Sequence, residues 1–293
     1  MTAPEIDDAC ACAFLSEYSY DKLDTPPNAH VSRSQYAWKW QSVSETLSDW
    51  TRFSCENSDA QCLFCFRESD KTVFLVFRGT DSWKDALIDV SLMKRRPAFI
   101  ADVPSCKVHA GFLRQFKACE GGIGRYLNRH TDRKRTVATG HSLGGALAIL
   151  CSVYVGRQLK ERSVECVSFG APRVGNRVFS EIADSVASIT RVVVGYDPVA
   201  SLPTRARWKH AGKSAWYLNG VPIKQNYRGD TIWNLIAIPN FLRVKDHSMS
   251  GYIDSVAASS DPSPWWKAEA TGIYMAALAT VGAAAVWSSV RAA

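Results

Sequence analysis

Residues 136–150 read TVATGHSLGGALAIL, and the way this stretch turns decides the fold around it. A short apolar run leads into Gly140-His141-Ser142-Leu143-Gly144, and an alanine-rich, helix-forming segment follows. That is a G-x-S-x-G pattern in a strand-to-helix context. In a turn sharp enough to present a serine, side chains at the flanking positions would collide, and glycine at 140 and 144 removes them. Gly145 and Ala146 let the helix press close on the sheet. The helix start places backbone N–H groups and a positive dipole end beside Ser142, and the Leu143 N–H is the natural donor to an oxyanion. A glycine-rich turn with an incidental serine fits the same five residues, so the partners a nucleophile needs must be sought elsewhere.

A serine hydroxyl needs a base to take its proton, and the base needs an acid to fix its tautomer. Two histidines follow Ser142, His210 and His247. His210 sits in RARWKHAGK, a basic stretch that opposes an imidazolium, which makes His247 the better candidate. Asp197 directly follows the strand-like ITRVVVGY (189–196) and so falls at a carboxyl end, as Ser142 does. Asp184, Asp230, Asp246 and Asp254 stand in helical or loop contexts and read as solvated.

Short apolar runs at Lys71 to Phe77, Thr136 to Thr139, Val164 to Phe169 and Ile189 to Val194 are expected to be strands buried on both faces. Between them, Phe112, Phe116, Cys119, Ile123 and Tyr126 recur at helical spacing, with Gly121, Gly122 and Gly124 weakening the pattern. Strands alternating with helices imply an α/β fold with a mainly parallel sheet flanked by helices. A helix beginning near Pro4 precedes the strands, and Asn219-Gly220 signals a two-residue hairpin.

Of the 293 residues, 46% are hydrophobic and 22% charged, which excludes a disordered chain. The net charge of +7 favours anionic surfaces such as acidic lipid head groups. The basic run Arg133-Lys134-Arg135 reads as a solvated loop, and no nucleic-acid signature accompanies it. Nine cysteines, mostly in apolar stretches, suggest a reducing compartment. Cys62-x-x-Cys65 lacks the second pair a metal site would need. The N-terminus carries acids where a secretory signal carries positive charge, so no signal peptide is predicted.

Six stretches in order resemble the class 3, or fungal-type, lipases of the α/β-hydrolase fold. They are FRGTDSWKDALIDV (77–90), VHAGF (108–112), TGHSLGGALA, SFGAPRVGN (168–176), RVVVGYDPVASLP (191–203) and DHSMSGY (246–252). The resemblance spans roughly residues 70 to 255 and implies Ser142 as nucleophile, Asp197 as acid and His247 as base. It further implies that Thr80 joins Leu143 in holding the oxyanion, and that Asp89 supports that region. A lid would follow Thr80, with Trp83, Leu87 and Val90 on one apolar helical face. Ala86 stands where the family commonly has tryptophan. His109 and His141 precede Asp197 in the chain and read as structural.

The expected protein is therefore a serine hydrolase of lipid carboxylic esters, a triacylglycerol or diacylglycerol lipase, needing no metal and no cofactor. The alternatives are a phospholipase A1, a small-ester esterase, or a lipase-like binding module without catalysis. Its partner is a lipid or ester substrate at a membrane or lipid-droplet surface. Residues 272–290, GIYMAALATVGAAAVWSSV, are uncharged and long enough to span a bilayer. The expected organisation is a hydrolase domain over 1–260 and a C-terminal apolar helix over 261–293 that could anchor the chain. The expected location is intracellular and membrane-associated, with the catalytic domain on the cytosolic side.

Overall fold

A computed structural model describes residues 3–21, 38–54, 60–80, 93–161, 163–195, 197–203, 207–212, 214–218, 222–225 and 246–260. The elements run α1 (Ala3–Tyr18), α2 (Trp38–Glu45), β1 (Leu47–Ser54), β2 (Gln61–Arg67) and β3 (Thr72–Phe77). Next come β4 (Lys94–Arg95), β5 (Val108–His109), α3 (Ala110–Arg129), β6 (Arg135–His141), α4 (Leu143–Gln158) and β7 (Val164–Phe169). The order closes with α5 (Arg177–Val186), β8 (Ser188–Val194), β9 (Ser214–Leu218), β10 (Pro222–Gln225) and α6 (Met249–Ser260).

Eight strands form one sheet in the order β1-β2-β3-β6-β7-β8-β9-β10. Its centre, β3 through β9, is parallel, and antiparallel pairs close both sides. The predicted strands are all present. β6 reaches beyond the predicted Thr139 to His141, so the sheet delivers the chain directly to Ser142. The hairpin also forms, but Leu218 pairs with Pro222, which leaves three residues between the paired ends instead of two.

Side-chain alternation assigns each strand's residues to two apolar layers. Cys62, Phe64, Phe66, Val73, Leu75 and Phe77 face the layer holding α3, α4 and α5. Leu63, Cys65, Phe74 and Val76 face the layer holding α1, α2 and α6. Burying each such large side chain contributes about 1.5–3 kcal/mol. The same period of two sends Cys62 and Cys65 to opposite faces of β2, so that pair cannot close on one ligand.

The helix expected around Phe112 to Tyr126 forms, while the basic run departs in part from expectation. The glycines at 121, 122 and 124 do not interrupt α3, which runs unbroken from Ala110 to Arg129. A Cβ on Gly122 would lie 3.0 Å from the Phe53 ring, so glycine there lets the helix approach β1. Within the basic run Lys134 is exposed as expected, but Arg133 and Arg135 are half-buried and paired. Arg133 pairs with Glu161 at 2.6 Å, and Arg135 makes 2.6 Å contacts to both Glu165 and Asp8. Arg135 thereby ties Asp8 of α1 and Glu165 of β7 to β6.

Candidate active site

Ser142 stands between the end of β6 and the first residue of α4, with φ 57° and ψ −123°. A side chain with positive φ is strained and persists where the surroundings enforce it. The surroundings here are tight. A Cβ on Gly144 would come within 2.1 Å of the Phe77 carbonyl oxygen, and one on Gly140 within 2.5 Å of the Gly144 carbonyl carbon. The Ser142 N–H is held by the Phe169 carbonyl of the neighbouring strand at 2.8 Å.

The three residues sought from the sequence meet. Ser142 Oγ lies 2.8 Å from His247 Nε2, and His247 Nδ1 lies 2.7 Å from Asp197 Oδ2. All three are at least 96% buried. Asp197 follows the end of β8, and His247 precedes α6 by two residues, so the sheet and the helix that packs on it bring together groups 50 and 105 positions apart. Asp197 Oδ1 accepts from the Val199 N–H at 2.8 Å, which fixes the carboxylate plane.

Thr80 follows β3 by three residues and is half-buried. Leu143 opens α4, where the first N–H groups lie ahead of the intrahelical ladder and point to whatever sits before the helix. Asp89 and the predicted lid residues Trp83, Leu87 and Val90 lie outside the described residues.

Two other histidines make contacts away from the triad. His109 caps α3, its Nδ1 accepting from the Phe112 N–H at 3.3 Å. His210, the alternative base, has Nε2 2.9 Å from the Ala200 carbonyl oxygen. Burial, then the nearby Arg191 and Arg173 charges, push its pKa well below the ordinary value. Two of the aspartates read as solvated are packed instead: Asp184 accepts from the Gly212 N–H at 2.6 Å, and Asp246 lies against Gly195.

Two participants were not singled out from the sequence. Tyr252, on α6, donates to Asp197 Oδ2 at 2.5 Å. Arg173, 1% exposed, donates Nη1 to the Ser201 carbonyl and to the Pro203 carbonyl at 2.8 Å, bracing the loop that follows the acid. Both stand inside quoted motifs. The signals were a tyrosine five residues after the base and an arginine amid the apolar SFGAPRVGN.

A mostly parallel sheet, a strained serine at a strand-to-helix elbow and a buried Ser–His–Asp chain define an α/β-hydrolase fold. The family model described as Lipase (class 3) matches residues 74–206. A lipase of Rhizopus niveus is 30% identical over 182 residues, covering 58% of this chain and 45% of that one. A secreted mono- and diacylglycerol lipase of Fusarium solani is 32% identical over 130 residues, covering 43% of this chain and 38% of that one. The solved structure of lipase II from Rhizopus niveus aligns with a TM-score of 0.68 at 25% identity, covering 84% of this chain and 94% of that one. Over these residues the chain resembles the class 3 lipases. It spans a little under half the length of these curated relatives.

The expected intracellular, membrane-associated location is overturned. The relatives include a secreted lipase, and among the described residues no helix is long and apolar enough to cross a membrane. That expectation leaned on the cysteines. Eight of them are free and buried, where a thiol packs as a small apolar group and reports its packing, not its compartment. Residues 272–290, the expected anchor, lie outside the described residues.

Proposed function

We propose that the protein hydrolyses carboxylic esters of lipids through an acyl-enzyme on Ser142. The observation that carries this reading is the unbroken hydrogen-bonded chain from Ser142 Oγ through His247 to Asp197. As Oγ attacks the ester carbonyl, His247 Nε2 takes its proton. Asp197 keeps the proton on Nδ1 and balances the imidazolium that forms. The carbonyl oxygen becomes an oxyanion, met by the Leu143 N–H and by the N–H and hydroxyl of Thr80.

His247 then protonates the leaving alcohol, which departs as the carbonyl re-forms. A water gives its proton to His247 and its oxygen to the acyl carbon, and the fatty acid leaves with Ser142 restored. Each proton travels between the residues named, and no step uses a metal or cofactor. The name of the Fusarium solani relative, a mono- and diacylglycerol lipase, favours acylglycerols as substrates. The positive net charge favours approach to an anionic lipid surface.

The test is hydrolysis of emulsified tri- and diacylglycerol, with phospholipid and short-chain esters in parallel, by wild type and Ser142→Ala. The substitution is expected to lower kcat on the order of a thousandfold or more while thermal unfolding is unchanged. Equal activity in the variant would contradict the reading. A preference for phospholipid would move the substrate to the phospholipase A1 alternative.

A further inference from the structure

Among the buried imidazoles that the proposed mechanism does not use, one lies against the base. His141 sits beside the nucleophile, 5% exposed. Its ring centroid is 4.5 Å from that of His247, with the planes 34° apart. On the same side of the site lies Tyr20, two residues beyond the end of α1, with its hydroxyl 3.0 Å from His141 Nδ1.

We propose that Tyr20 is a positioning residue for the base: its hydroxyl donates to His141 Nδ1, fixing His141 as a neutral ring against which His247 is seated. The inference rests on the hydrolase reading above and adds the N-terminal helix to the machinery of that site.

Three observations converge on this hydroxyl. First, Tyr20 stands at the junction of the elbow and the proposed oxyanion segment. A Cβ on Gly79, the residue before Thr80, would lie 2.0 Å from the Tyr20 oxygen and 2.7 Å from the His141 carbonyl oxygen. Glycine at 79 is therefore what admits the tyrosine. Second, the Tyr20 ring is held from its other side, with the Arg78 guanidinium 5.7 Å from the ring centroid. Third, α1 is itself fastened in place by the ion pairs of Asp8 with Arg67 and Arg135, so the hydroxyl is delivered by a fixed element.

The chemistry explains why such a donor matters. When Ser142 gives up its proton, His247 becomes an imidazolium, and a second positive ring at this separation would oppose it. His141 must stay neutral. Tyr20 faces it from the end of α1, and His247 and Tyr252 face it from the α6 side, with Tyr252 5.5 Å from the ring and Asp197 beyond. Burial, and then the neighbouring His247, hold the His141 pKa well below its ordinary value, opposed by hydrogen bonding to the His247 backbone. A phenol that donates to Nδ1 favours the neutral ring further, because a protonated Nδ1 has no lone pair to accept it.

Tyr20→Phe removes the hydroxyl and keeps the ring. Loss of one such hydrogen bond is expected to lower kcat about tenfold with KM changed by less than about twofold. The kcat loss should deepen as pH falls, because His141 then gains its proton more readily and opposes the imidazolium that must form on His247. Nitrogen NMR of the wild-type histidines gives a measurement independent of any variant: the inference requires His141 to carry its proton on Nε2. A wild-type kcat in Tyr20→Phe, a kcat loss that does not change with pH, or an Nδ1-protonated His141 would each overturn it. Continued activity of Ser142→Ala would instead sink the hydrolase reading itself, so the two failures are distinguishable.

Discussion

Tyr252 donates its hydroxyl to Asp197 Oδ2 at 2.5 Å, and the same oxygen lies 2.7 Å from His247 Nδ1. One carboxylate oxygen thus serves two groups, and the tyrosine decides how the acid is aimed. Burial first, and then the Asp197 charge, push the Tyr252 pKa well up, so the phenol keeps its proton and stays a donor. Tyr252→Phe is expected to cost about 1.5–3 kcal/mol of stability, the range for hydrogen bonds to charged groups, and to lower kcat about tenfold. Denaturant unfolding and ester hydrolysis on the same preparation check both numbers.

Gly170 is the backbone counterpart of that aim. Its φ is +57°, and a Cβ there would lie 2.5 Å from Asp197 Oδ2, 2.8 Å from the Tyr252 hydroxyl and 3.2 Å from His247 Nδ1. Gly170→Ala is expected to lose about 1–3 kcal/mol from backbone strain alone and to disable hydrolysis by displacing the acid. Gly124→Ala is the contrasting control, since nothing lies within 4 Å of its Cβ in the interior of α3. That substitution should stabilise the protein by about 0.5–1 kcal/mol. A shared response of the two variants in thermal melts and hydrolysis would contradict the assignment.

Acid should destabilise the fold through two histidines that are buried neutral. His141 and His210 both have folded pKa values well below the ordinary 6.5, chiefly through burial. Below pH 6.5 the unfolded chain binds protons that the folded one refuses, so stability rises with pH across that window. It is fully present above the unfolded value and is lost as pH falls toward the folded ones. Each histidine can contribute a slope of up to about 1.4 kcal/mol per pH unit. His210→Gln should remove its share of that slope between about pH 6 and 5. Unfolding free energies measured across that range, with the slope unchanged in the variant, would refute this.

The parts of the fold legible in the sequence were those written in local patterns. The parallel strands showed as short β-branched runs, and the elbow showed because Gly140 and Gly144 have a steric reason to flank Ser142. Chain order, the basic stretch around His210 and the strand end before Asp197 then singled out Asp197 and His247 as groups worth bringing together. What escaped depends on three-dimensional approach. Tyr252 is one tyrosine of ten until α6 packs on the sheet, and Tyr20 is one more until Gly79 admits its hydroxyl. The three glycines of α3 read as weakness because the Phe53 ring that fills the space above Gly122 is contributed by β1, far away in sequence. Arg133 and Arg135 read as solvent-facing because their acids, Glu161, Glu165 and Asp8, come from other elements. The cysteines misled about location because burial, not redox environment, accounts for where they sit.

The central claim is that Ser142 is the nucleophile of an ester hydrolase. Its most direct test is to treat the protein with a fluorophosphonate and map the adduct by peptide mass spectrometry while following residual lipid-ester hydrolysis. The account predicts one adduct, on Ser142, forming in step with the loss of activity and absent from Ser142→Ala. An adduct on another residue, or hydrolysis that survives full modification of Ser142, would contradict it.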